Sequence, residues 1–374
     1  MKGLNKEDID SAKEMAYLAA CAVNGIIPDS GRVARLDPDK LFFMAERHKL
    51  TAITAMALES AGIKNEAFTQ AKGKAIRKNA VLDLDRAALF ERLEAAGIWY
   101  LPLKGAVMAG YYPKFGMRQM SDNDILFDAA HADDVKEIMT SIGFTAEHFG
   151  EGVHDIYFKK PVSNFEMHRE LFNKTHDKKL YDYYRDISLK LIGEDGQFAR
   201  RLRHEDFYIY LTAHEYKHFS ETGTGLRSLL DTYVFWSTFG GQLDTDYIDR
   251  ELEKLGIRDF EAQNKQLALR LFGGNPLSES EEKLLQYFIS CGVYGTLESA
   301  AENRIRRHGR MGYLVMRLFS PYRLMVKRYP VLKPLPVLLP VCWLLRLAGG
   351  LLHSRRRIMT QIKTALQYKY NEKE

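Results

Sequence analysis

Residues 98–128, IWYLPLKGAVMAGYYPKFGMRQMSDNDILFD, constrain this chain more than any other stretch. The apolar run 98–103 predicts a strand, Lys104-Gly105 a tight turn, 106–112 a short helix and 123–127 a second strand. The polar loop between helix and strand carries Arg118 and ends in Ser121-Asp122-Asn123-Asp124. Strand side chains alternate between faces, so Asp122 and Asp124 point the same way, with one outward residue between them. Two carboxylates on one face repel each other unless something positive sits between them. A divalent metal is the usual answer, and hard oxygen ligands favour magnesium. A lone D-x-D is more often a solvated acidic loop. Here the Lys-Gly turn opening a helix adds backbone N–H groups and a positive helix end suited to a phosphate.

The flanking sequence predicts a sheet framed by helices. Residues 6–26, 38–62 and 66–97 have helical periodicity and form a helical layer. Asp83 and Asp85 make a second D-x-D, but on a helix they lie about 200° apart and do not share a metal. After Asp128, a helix is expected over 133–142, ended by Gly143, and then strands over 145–149, 154–160 and 164–168. In the last strand Asn164, Glu166 and His168 share one face. Residues 176–300 read as mostly helical.

This arrangement resembles the nucleotidyltransferase superfamily typified by polymerase β. Its pattern is a strand, a Gly-[Gly/Ser] turn opening a helix, D-x-[DE] on the next strand and a third carboxylate on a later one. It is closer to a bacterial branch described as an uncharacterised nucleotidyltransferase family. That branch carries L-K-G, a helix ending in Tyr-Pro, and R-x-x-S-D-x-D. This chain shows Leu103-Lys104-Gly105, Tyr112-Pro113, and Arg118 followed by Ser121-Asp122-Asn123-Asp124, with Ala106 where the superfamily has Gly or Ser. The resemblance runs over residues 40–345.

The resemblance implies an α+β fold, a small mixed β-sheet nucleotidyltransferase core with large N- and C-terminal helical additions. The expected divisions are a helical layer (1–92), the core (93–175), a helical domain (176–310) and a basic apolar tail (311–374). The implied activity is metal-dependent transfer of a nucleotidyl group from an NTP to an acceptor hydroxyl or phosphate. Asp122 and Asp124 would hold Mg2+ and Glu166 would be the third carboxylate. Lys104, Gly105, Arg118 and Ser121 would meet the nucleotide phosphates. His168 would line the site. Later H-x-x-x-H and R-x-x-x-D helices match His214, His218, Arg227 and Asp231 as a wall of the cleft. Four residues apart on a helix, Arg227 and Asp231 can also simply pair.

A different chemistry is written into the same region. His214-Glu215-Tyr216-Lys217-His218 satisfies H-E-x-x-H, and the spacing sets both imidazoles on one helical face, as zinc requires. Position 221 is Glu rather than Gly, and the next His is His308, so a third ligand is missing. Buried histidines supporting the cleft outweigh a zinc-dependent hydrolase, which stands as the alternative. A non-catalytic binding module or a membrane-surface adaptor is the remaining class.

Charge is distributed unevenly. The chain carries a net charge of +5, yet residues 301–374 hold 16 Lys/Arg against 3 Glu, leaving −8 on the rest. A basic tail on an acidic body suggests an anionic partner, a membrane surface before nucleic acid. The longest uncharged run of the tail, 334–345, has 12 residues and contains Pro334, Pro336 and Pro340. A spanning helix needs about 20 residues. Two outcomes are open: Leu338, Leu339, Trp343 and Leu347 pack on the body, or the tail lies in the interface of an anionic bilayer with Trp343 at headgroup level. Residues 355–369 read as a basic amphipathic helix. Cys21, Cys291 and Cys342 are odd in number and far apart, which fits a reducing compartment. The charged N-terminus lacks the apolar core of a signal peptide. The expected location is cytoplasmic, peripheral at the inner face of the membrane, with an acceptor in cell-surface polysaccharide or a lipid-linked precursor. There is no Walker motif and no dinucleotide fingerprint.

Overall fold

Five short strands make one mixed sheet: β1 (Tyr100–Pro102), β2 (Asn123–Phe127), β3 (Thr145–His148), β4 (His154–Lys159) and β5 (Ser163–His168). Their spatial order is β1-β2-β5-β4-β3. β2 and β5 run parallel at the centre, and every other pair is antiparallel. The computed structural model describes residues 5–175 and 177–353. The stretch 355–369, expected to be a basic helix, lies outside them. Most of the remaining described chain is helical, so the fold is α+β with helical additions before and after the sheet.

Period-2 alternation divides the sheet into two faces. On one, Tyr100, Ile125, Phe127, Tyr157, Phe165 and Met167 form a core with Leu89 and Leu93 of the helix Glu66–Ala96 and with Val135 and Met139 of the helix Ala132–Ser141. Each of these ten side chains contributes roughly 1.5–3 kcal/mol on full burial. Asn123 shares that face but is satisfied there, donating from Nδ2 to Leu82 O (2.9 Å) and accepting from Arg86 Nη1 (2.9 Å). The opposite face therefore receives Asp124, Glu166 and His168, the polar half of the alternation.

Two elements depart from the sequence expectation for local reasons. β1 is shorter than 98–103 because Ile98 still belongs to the exit of the preceding helix. Its N–H returns to Leu93 O (3.0 Å) across Gly97, which takes the left-handed conformation (φ 71°) that closes helices. The helical span 38–62 is broken in two, Pro38–His48 and Thr51–Ser60, by Lys49 at φ 55°. The first piece is amphipathic. The second buries Thr51 through Ala55 in succession, so one straight helix could not serve both environments.

The chain divides into two compact units. One comprises the chain through Tyr216 together with Leu226–Ile289, and it contains the sheet. The other joins Lys217–Gly225 to the residues from Ser290 onward. Within the second, Asn303 Nδ2 donates to Phe219 O (2.8 Å), and the helix Leu297–Leu318 bends at Gly309. It continues through the helices Tyr322–Arg328 and Leu339–His353. Among the described residues, no helix is long and apolar enough to cross a membrane.

Candidate active site

The polar face of the sheet is assembled across strands rather than along one. In the parallel β2–β5 ladder Asp124 pairs with Glu166, and in the antiparallel β4–β5 ladder His154 pairs with His168. Residues opposite each other share a face, so four ionisable side chains from three strands converge. His168 Nε2 lies 2.9 Å from Asp124 Oδ1 and 3.6 Å from Glu166 Oε2. The two carboxylate oxygens are thus separated by no more than the sum of those distances, a span that a pair of metal ions about 3.5–4 Å apart can bridge. Asp122 immediately precedes β2 and accepts no hydrogen bond from the described residues. Ser121, next to it, is half-buried.

Lys104 brings the opposing charge. Its Nζ donates to Asp124 Oδ1 at 2.6 Å. Lys104 sits at φ 43°, a left-handed conformation that costs a non-glycine residue of order 1 kcal/mol or more and that concentrates at functional sites. The turn directs the ammonium onto the carboxylates just after β1 ends. Leu103 N–H reaches Asp124 O (2.9 Å), so the β1–β2 pairing runs up to the turn itself.

The three carboxyls titrate differently because their neighbours differ. Burial pushes Asp122 up to about 6, reinforced by the negative charges of Asp124 and Glu166. Burial would also raise Asp124, but the Lys104 charge and the His168 hydrogen bond outweigh it and hold Asp124 well below the usual carboxylate range. For Glu166 the upward push of burial is likewise overcome, by the His168 hydrogen bond and Lys104, and it is lowered. Burial lowers His154, with Glu166 opposing. Such a set of like charges is relieved by a cation. Carboxylate oxygens such as those of Asp122, Asp124 and Glu166 suit a hard divalent ion, magnesium or manganese, whereas the flanking imidazoles suit zinc and other transition metals. Among the described residues, His154, Glu166 and His168 are the one group of three His, Cys, Asp or Glu whose ligand atoms lie within 4.8 Å of one another.

The loop carrying Asp122 is held from outside the sheet. Asn79 on the long helix donates from Nδ2 to Arg118 O (2.8 Å) and accepts from Met120 N (3.0 Å), as a neighbouring strand would. Gln119 Oε1 accepts from Thr51 Oγ1 (2.9 Å) and Ala52 N (3.1 Å) at the start of another helix.

Arg118, expected at the phosphates, is engaged inside the protein. It is 8 % exposed and forms a fork with Asp231, Nε to Oδ1 and Nη2 to Oδ2, both at 2.8 Å. Tyr112 OH adds a third hydrogen bond to Asp231 Oδ1 at 2.8 Å. A guanidinium matches a carboxylate bidentately, and burial of either requires the other. Asp231 is therefore an internal anchor rather than a cleft wall or the mate of Arg227. Gly105 gains a different role too. A Cβ there would stand 2.5 Å from Arg118 Nη1, so the missing side chain makes room for the fork. The helix expected over 106–112 opens at Lys104 and runs only to Met108 before tightening at Ala109–Tyr111. One turn develops little of the dipole that a phosphate would use.

Arg227 supplies what Arg118 does not. Its Nη1 approaches Gln119 O (3.5 Å), and its charge acts on Asp122 to lower that carboxyl's pKa. Two further residues escaped the sequence reading. His154 could have been found by folding the hairpin about Pro161, which sets it opposite His168. Tyr210, buried in the helix His204–Glu221, feels the charges of Lys104, Asp124 and Glu166, and no local pattern marks it.

The zinc alternative lacks support in this geometry. His214 stands beside Tyr210, with ring centroids 6.3 Å apart, and no group of three candidate ligands among the described residues includes His214 or His218. Glu215, the would-be base, is buried and accepts from Asn264 Nδ2 (3.2 Å), and burial pushes it up to about 7. A carboxyl raised on folding stabilises the protein fully below its unfolded pKa and loses that contribution as pH rises through the folded value. Glu215→Gln is therefore expected to raise the melting temperature at pH 8, give no gain at pH 4.5 and leave turnover unchanged. Lost turnover with intact folding would restore Glu215 as a base.

The model of a family described as uncharacterised nucleotidyltransferase matches residues 34–273. That is more than half the chain. It takes in every residue of the site and stops before the basic tail. No curated protein and no solved structure matches.

Proposed function

The chain belongs to this family of nucleotidyltransferases, and on that premise we propose that it transfers a nucleotidyl group from an NTP to an acceptor hydroxyl or phosphate with the help of a divalent cation. The observation that supports this reading most is the register that sets Asp124 beside Glu166 with Asp122 at the same strand end. The acceptor oxygen forms its bond to the α-phosphorus while the bond from that phosphorus to the leaving pyrophosphate breaks. Asp122 and Asp124 would hold the cation, with Glu166 completing a second position or orienting the acceptor. The bound ion would stabilise charge on the entering and leaving oxygens.

The protein's own groups set the stage for this step. Lys104 stays protonated because Asp124 outweighs the cost of its burial, so a positive charge is permanently fixed beside the carboxylates. With Arg227 it would balance charge on the triphosphate, as developing charge at phosphorus requires. His168 bridges Asp124 and Glu166 and holds both side chains in place. Ser121 would meet the nucleotide from the loop.

The test is pyrophosphate release from each of the four NTPs with magnesium or manganese, across a panel of acceptors. Release that depends on acceptor and metal is the expected result. No release and no NTP binding under any combination would overturn the reading. Within it, Glu166→Gln is expected to lower turnover on the order of 100-fold by removing a charged ligand. His168→Ala, which removes an orienting partner, should cost about 10-fold. A larger effect at His168 than at Glu166 would reverse those assignments.

A further inference from the structure

We propose that the surface built by the helices Tyr322–Arg328 and Leu339–His353 and the turns between them docks onto an anionic lipid bilayer. The helix Leu339–His353 has its faces reversed relative to a water-facing helix. Val341, Leu344, Leu345 and Ala348, at i, i+3, i+4 and i+7, are all exposed, and Leu344 is 68 % exposed. The other side of the same helix is already used. Cys342 is buried with Met325 and Leu332, and Leu338, Leu339 and Trp343 pack on that small cluster. Trp343 also donates from Nε1 to Ser320 O (2.9 Å) and meets Phe319 edge-on. Leu338, Leu339 and Trp343 pack within their own unit, and the apolar surface left outside belongs to other residues. In the preceding turn Val337 is 79 % exposed.

Charge selects the occupant. Between Glu302 and Glu372 the sequence contains no acidic residue at all. Arg323, Lys327, Arg328 and Lys333, on the same run of helices and turns, are exposed as well. Two copies of so basic a surface repel each other, which disfavours self-association through it. Single-stranded nucleic acid is gripped by aromatic platforms, whereas the outward residues here are mainly Leu and Val. Aliphatic side chains mixed with Lys and Arg suit the boundary between acyl chains and anionic headgroups, where each basic residue contributes about 1 kcal/mol. Over its described residues, Leu339–His353, the helix has 15 residues, fewer than the roughly 20 that span a bilayer, and in this proposal it lies in the membrane plane.

The experiment is co-sedimentation of the full chain with phosphatidylcholine vesicles and with vesicles containing phosphatidylglycerol, at low and high salt. At least about ten-fold more protein should pellet with the anionic vesicles at low salt, as several basic residues at that energy imply. High salt should release most of it. Leu344→Ser/Leu345→Ser and, separately, Lys327→Glu/Arg328→Glu should each abolish the difference, with melting temperatures unchanged because all four side chains are exposed. Asp122→Asn should pellet like the parent, which keeps this result separate from any outcome of the catalytic tests. Equal recovery with neutral and anionic vesicles, or none with either, overturns the proposal. So does a dimer in vesicle-free buffer that Leu344→Ser/Leu345→Ser dissolves, or tight oligonucleotide binding without vesicle binding.

Discussion

Asp122→Asn and Asp124→Asn are each expected to lower nucleotidyl transfer by at least about 100-fold while the protein still folds, because each removes charge that would be worth several kcal/mol at the proposed metal site. The two substitutions should differ in the unfolding curve. Asp122 accepts no hydrogen bond from the described residues and is held at a raised pKa by burial and two neighbouring carboxylates, so neutralising it relieves repulsion in the metal-free protein. Asp124 receives Lys104 Nζ and His168 Nε2 on the same oxygen, and Asn offers them a weaker acceptor. Stability should therefore be unchanged or raised by Asp122→Asn and modestly lowered by Asp124→Asn. Turnover measured beside thermal unfolding checks both. Near-normal turnover in either variant would remove that residue from the proposed metal site.

Asp231→Ala should be as destabilising as emptying a core position of the sheet-bearing unit. It strands the buried Arg118 guanidinium and the Tyr112 hydroxyl together. Breaking a buried pair by deleting one partner costs about 3–5 kcal/mol, because the surviving charge remains desolvated. A matched apolar replacement, Arg118→Met with Asp231→Leu, should recover much of the loss, since both desolvation penalties disappear together. Urea unfolding of the three proteins decides the matter. A loss below about 1 kcal/mol in Asp231→Ala, the range of exposed pairs, would mean that Arg118 reaches solvent and could serve a phosphate after all. The position matters for function because Arg118 opens the loop that ends at Asp122, and Asn79 holds that loop by its backbone.

Much of this site was legible in the sequence because strand geometry is local. Alternation by itself put Asp122 and Asp124 on one side, and Glu166 and His168 on one side of their own strand, and β2 spans 123–127 as expected. The acid-free tail was equally plain, since charge is a property of composition. Partner choice was not legible, because it depends on which elements pack together. The sequence put Arg118 at the phosphates and set Asp231 within reach of Arg227, and only the approach of the helix Leu226–Phe239 to the loop gave Arg118 the partner Asp231, 113 positions away. The same packing left Arg227, four residues from Asp231, near Asp122 instead. Likewise nothing within β2 or β5 says that they lie side by side in parallel, with Asp124 opposite Glu166. Periodicity specifies the face on which a side chain stands. The neighbour it meets there is decided by non-local burial, through the twofold demand that apolar surface be covered and that every buried charge find its opposite.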